Sequence, residues 1–201
     1  MNPRNAALLA RVRAKQDADG RLPVPDVALW DIFPFEGELL VKRLDEPVLP
    51  EPPRDGEGGN ACHTCDEGVA GSIWADDRWM LRTTSPQSVP TVLLSPLEHF
   101  DSDDLPTHLV AALGPMLQRV ERCVLSLGGV ARVHLNKIGD GGAHLHWWFT
   151  ARPEGFLQLR GSSLIDWCDA LPPMPAEEWQ RDMAAIGAAM VAGGGAAAPQ
   201  T

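Results

Sequence analysis

The chain has 201 residues, 44% of them hydrophobic and 22% charged, which is the balance of a globular protein long enough to bury a real core. With 17 Lys plus Arg against 27 Asp plus Glu, its formal charge is −10. That surface argues against binding nucleic acid polymers or anionic membranes, but not against a small anion held by backbone amides. The sequence has no tyrosine, so no chemistry can depend on one. No stretch has the length and apolarity expected of a membrane span or signal peptide, and the expectation is a cytoplasmic protein.

Residues 1–20 are charged and compatible with a short helix. Residues 21–60 are too rich in proline for regular helix and predict an extended arm, taken as 1–58. The arm carries Trp30, Phe33, Phe35, Leu39 and Leu40, which predicts packing on the body. Asp55 to Asn60 is a Gly-rich hinge. The body, 59–153, opens with short strands at Ser72–Ala75, Arg78–Thr84 and Pro90–Ser95. Asp101 to Asp104 offer N-cap side chains for a helix running to about Leu127, with Pro106 in its first turn. Its apolar stripe is Leu109, Leu113, Met116, Leu117, Val120, Val124 and Leu127. Two more strands are expected at Val130–Lys137 and Ala143–Ala151, joined by a Gly-rich loop. A helix at Ala176–Val191 dominates a C-terminal extension, 154–191, and 192–201 reads as a flexible tail. Strands, then a helix, then a hairpin predict an α+β fold with an antiparallel sheet.

Chemistry concentrates in two places. His144 and His146 alternate along the last expected strand, which would point both imidazoles to one face. Cys62 and Cys65 give a thiolate pair with the bite for one tetrahedral zinc. With His99 and a strand histidine they would close a Cys₂His₂ site spaced C-x₂-C-x₃₃-H-x₄₄-H, too long for a zinc finger. The competing reading is a redox Cys-x-x-Cys, which wants a helix starting at its first cysteine. Cys123, on the apolar side of the central helix, reads as a buried inert thiol.

Over about residues 60–153 the sequence resembles the histidine-triad superfamily of nucleotide hydrolases and transferases. The run His144-Leu145-His146-Trp147-Trp148-Phe149 followed by Arg152 fits its His-φ-His-φ-His frame, with Trp148 in the third position. Ser95-Pro96-Leu97-Glu98-His99 resembles its pre-helix Pro-x-x-His segment. Asn136 and Gly139–Gly142 resemble the Asn and Gly-rich turn that lead into the triad. The resemblance implies zinc on Cys62, Cys65, His99 and His144. It implies His146 as a nucleophile forming a nucleotidyl-histidine at an α-phosphate. Asn136, Gly141, Gly142 and Trp148 would contact a small-molecule nucleotide, and two copies would form a homodimer. Water as acceptor makes a hydrolase, another phosphate a nucleotidyltransferase. The alternative is a zinc-stabilised nucleotide-binding protein with little catalysis, because an indole N–H donates but cannot relay a proton. A second frame would make His144 the nucleophile, leaving Gly142 in the first position. The early strand, Leu81 to Ser85, lacks the carboxylate with which the family often holds ribose.

Overall fold

The computed structural model describes residues 10, 12–43 and 48–198. The chain divides into two compact units, 1–52 and 53–201. In the first unit the helix expected within 1–20 lies largely outside the described residues. Asp26–Leu29 forms a 3₁₀ turn, and the rings of Phe33 and Phe35 meet edge to face at 5.6 Å.

The second unit carries five antiparallel strands: β1 (Ser72–Ala75), β2 (Trp79–Thr83), β3 (Thr91–Pro96), β4 (Val130–Asn136) and β5 (Trp147–Pro153). Their spatial order is β1-β2-β3-β5-β4. A one-turn helix, α1 (His63–Glu67), precedes the sheet. The long helix α2 (Thr107–Leu125) lies between β3 and β4, and α3 (Ser163–Ala170) and α4 (Ala176–Ala192) follow it.

Strand alternation divides the sheet into two faces. One presents Trp79, Leu81, Val92, Leu94, Val133, Phe149 and Ala151 to a core shared with α2 and α4. Leu109, Met116, Val120 and Val124 of α2 are buried there beside Cys123, as the stripe predicts. From α4 come Trp179, Met183, Ile186 and Met190. The other face carries a transverse row, Arg82, Leu93, Trp148 and Asn136, aligned by the register across β2, β3, β5 and β4. This row is the floor of the site.

Four local expectations change. The last strand begins at Trp147, not Ala143, because the backbone ahead of it pairs elsewhere: Ala143 N–H donates to Asp55 O (2.9 Å) and Leu145 N–H to Phe100 O (2.7 Å). Helix α2 begins at Thr107 behind Pro106, with no side-chain cap. The acidic run instead closes its own turn, Asp101 N–H donating to Asp104 Oδ1 at 2.7 Å. Helix α3 has no forerunner in the sequence reading. The stretch read as the start of a tail is held as far as Ala198. Ala75 and Ala196 form an antiparallel bridge along the outer edge of β1, and Trp74 Nε1 donates to Gly194 O. Gly195, at φ +81°, lies flat against Trp74, where a Cβ would come within 2.5 Å of the indole nitrogen.

Candidate metal centre and the strand beside it

Cys62, Cys65, His99 and His144 arrive from three parts of the fold. Cys62 caps α1 and Cys65 lies one turn on, the Cys62 sulfur accepting from Cys65 N–H. Arg82, on the floor row, donates to Thr64 Oγ1 (2.8 Å) and pairs with Glu67, which ties α1 to β2. His99 follows β3. His144 is almost wholly buried ahead of β5.

One ligand atom from each of the four can be chosen so that all lie within 4.8 Å of one another. The His144 Nδ1 is 3.6 Å from Cys62 Sγ and 3.4 Å from Cys65 Sγ, and His99 Nδ1 is 3.5 Å from Cys65 Sγ. Tetrahedral zinc with ordinary bond lengths puts sulfur and nitrogen ligands about 3.6 Å apart. Gly56 makes room for this closure. At φ +81° it faces His99, where a Cβ would come within 2.5 Å of the ring.

The donor chemistry fits zinc as well as the spacing does. His144 Nε2 lies 2.9 Å from Pro96 O, and a carbonyl only accepts, so that nitrogen carries the proton and Nδ1 turns its lone pair to the thiols. Burial lowers the His144 pKa and favours the neutral ligand form. Burial, then the hydrogen bond and charge of Cys62, push the Cys65 thiol up to about 11. A divalent cation among the four supplies the charge that reverses this. A helix does start at the first cysteine, as the redox alternative requires; the two imidazoles are what redox chemistry has no use for.

His146 is two residues beyond this cluster and half-buried. Its Nδ1 lies 2.9 Å from His144 O, which places the proton on Nδ1 and leaves the lone pair on Nε2. Its ring meets that of Trp148 edge to face, at 6.2 Å between centroids. Trp148 and Asn136 are register partners on the floor row, and both line a cavity of about 210 Å³. Gly141 and Gly142 do not line it; they lie in the loop ahead of His144, and their N–H groups have no hydrogen-bond partner among the described residues.

A network that motif reading missed holds this loop. Arg54 Nη1 donates to Gly139 O and Asp101 Oδ2, both at 2.7 Å, and pairs with Glu57. Lys137 Nζ reaches Asp101 Oδ1 at 2.9 Å. Burial would raise the Asp101 pKa, but hydrogen bonds from Lys137, Ser102 N–H and Arg54 outweigh it and hold the carboxyl well below its usual range. Asp55 N–H donates to Gly141 O, Asp55 O accepts from Ala143 N–H, and the Asp55 carboxylate accepts from His63 N–H at 3.1 Å. These residues occupy loops without periodicity, so only their charge could have flagged them.

Compared by sequence, the chain matches no protein-family model and no curated relative. Compared by structure, it is similar to a histidine triad protein from Bradyrhizobium japonicum, at 19% identity and a TM-score of 0.52 over 65% of this chain and 97% of that one. A hypothetical histidine triad nucleotide-binding protein from Sulfolobus tokodaii aligns at 17% identity and a TM-score of 0.51, over 65% and 93%. A histidine triad protein from Marinobacter aquaeolei aligns at 18% identity and a TM-score of 0.50, over 62% and 90%. The second unit has the histidine-triad fold.

Proposed function

We propose that the protein is a hydrolase or nucleotidyltransferase that attacks the α-phosphate of a small nucleotide with His146. The observation that carries this reading is the different engagement of the two histidines. Both nitrogens of His144 are taken, one by Pro96 O and one toward the cysteines, whereas His146 keeps Nε2 free with its proton fixed on Nδ1. That supports the frame with His146 as nucleophile and His144 as ligand.

The His146 Nε2 lone pair forms a bond to phosphorus, and the bond from phosphorus to the leaving oxygen breaks with its electron pair. Water or another phosphate then attacks phosphorus and releases His146. The free N–H groups of Gly141 and Gly142 and the Asn136 amide, which has no partner among the described residues, would hold the phosphate oxygens. Zinc on Cys62, Cys65, His99 and His144 would be structural, fixing the backbone that carries the nucleophile.

The runner-up, a nucleotide-binding protein with little catalysis, rests on Trp148, which stands beside His146 and cannot pass a proton. Turnover separates the two. Against a panel of dinucleoside polyphosphates and nucleoside triphosphates, the native chain should release nucleoside monophosphate and His146→Ala should not, with its zinc content unchanged. Native protein that binds nucleotides but turns none over would favour the runner-up.

The proposed enzyme works as a homodimer. Among the described residues β4 pairs only with β5, at the edge of the sheet, and Val110 and Leu125 lie exposed on α2. A partner strand along β4 would satisfy that edge.

A further inference from the structure

The cavity on the floor row is walled partly by α3, outside the region of family resemblance. Ile138, Trp148, Ile165 and Cys168 line it, together with Asn136 and Asp169. At about 210 Å³ it is smaller than the roughly 300–1,000 Å³ of sites that enclose a whole drug-sized ligand, so it takes one ring system. Two other polar side chains that line it are already engaged: Gln87 donates to Ser85 O and Thr91 to Val89 O. Asn136 and Asp169 have no hydrogen-bond or ion-pair partner among the described residues. One offers both a donor and an acceptor, the other accepts only.

Resting on the reading of His146 as nucleophile, we propose that this cavity receives the base of the nucleotide, a planar heteroaromatic ring stacked on Trp148 and covered by α3. The placement follows from the floor row. Trp148 both meets the His146 ring and lines the cavity, so a phosphate at His146 leaves the attached sugar and base to extend along the indole. An indole face binds any base through its π surface, and Asp169 favours bases with an N–H edge. Trp148 thus trades proton relay for a stacking platform, and the C-terminal extension sets substrate choice.

Calorimetry with the zinc-loaded full chain tests this, using the four common nucleoside 5′-monophosphates and ribose 5-phosphate as probes. At least one monophosphate should bind about tenfold or more tightly than ribose 5-phosphate. Cys168→Phe, which puts a phenyl ring into the cavity, should bring that ratio near one. Trp148→Leu should do the same if Cys168→Phe fails to fold. Equal affinity for ribose 5-phosphate and every monophosphate, or a ratio unmoved in a folded variant, overturns the base site even if His146 turns nucleotides over. A ratio that collapses as expected, in a protein that forms no adduct on His146, upholds the base site and removes the catalytic reading instead.

Discussion

At Trp148 the chemistry of one side chain decides what the site can do. If the position beside the nucleophile must pass a proton to the leaving group, Trp148→His should accelerate cleavage of nucleoside phosphoramidates, whose amine leaves poorly without one. Positioned proton transfer is typically worth about 10²–10⁴-fold. The native indole suits phosphoanhydrides, whose leaving group needs little help. We expect the native chain to be poor on phosphoramidates and the variant to gain at least tenfold in kcat/KM. Efficient native cleavage of a phosphoramidate would contradict this. The two histidines show how far residue types alone lead. Their presence beside a Cys-x-x-Cys was legible, and with the family resemblance so was the four-residue cluster. Which nitrogen of each carries the proton depends on Pro96 O and His144 O, backbone atoms that sequence does not mark.

The element that positions this chemistry is the segment from Lys137 to His146, which is not a strand. Its Gly-rich part is the expected loop, but the expected strand starts at Ala143, because His144, His146 and Trp148 alternate and alternation is the strand signal. The partners of its backbone are Asp55 and Phe100, distant in sequence, so no local pattern could reveal them. Asp101 anchors the segment through Lys137 and Arg54. A carboxyl held below its unfolded value stabilises the fold above about pH 4 and loses that contribution as pH falls through the lower folded value. Asp101→Asn should therefore cost about 1.5–3 kcal/mol at pH 7, the range for hydrogen bonds to charged groups. The difference from native should shrink below pH 4. Urea unfolding of both chains across pH 3–7 checks it, and a gap that stays constant would assign Asp101 no such role. Helix α2 illustrates the opposite case. Its apolar stripe was legible despite Pro115 within it, because burial against the sheet outweighs one missing backbone hydrogen bond.

For the molecule as a whole, the antiparallel α+β architecture was legible from the order of strands, helix and hairpin. The anchoring of the C-terminus was not. Residues 193–198 are glycine and alanine, and what holds them is Trp74 and Arg119, the guanidinium lying over the Trp74 ring at 4.8 Å and donating to Gly194 O. The Cys₂His₂ cluster links α1, the segment after β3 and the approach to β5, so a metal bound there would restrain long loops at once. We expect one zinc per chain, and a melting temperature that falls by about 10 °C or more on chelation and returns with zinc. Elemental analysis and thermal melts check this; protein that is stable without any metal would contradict it. Light scattering at micromolar concentration should give the mass of two chains, and a monomer would overturn the pairing along β4.

Intact-mass analysis after rapid quenching tests the central claim, that His146 is the nucleophile of a zinc-stabilised site, most directly. The chain, incubated with the nucleotide panel, should gain the mass of one nucleotidyl group in an acid-labile bond, and peptide mapping should place it on His146. The adduct should vanish in His146→Ala, which keeps its zinc, whereas His144→Ala should lose zinc and stability first. An adduct on His144, or none with any nucleotide that the chain turns over, would contradict the account.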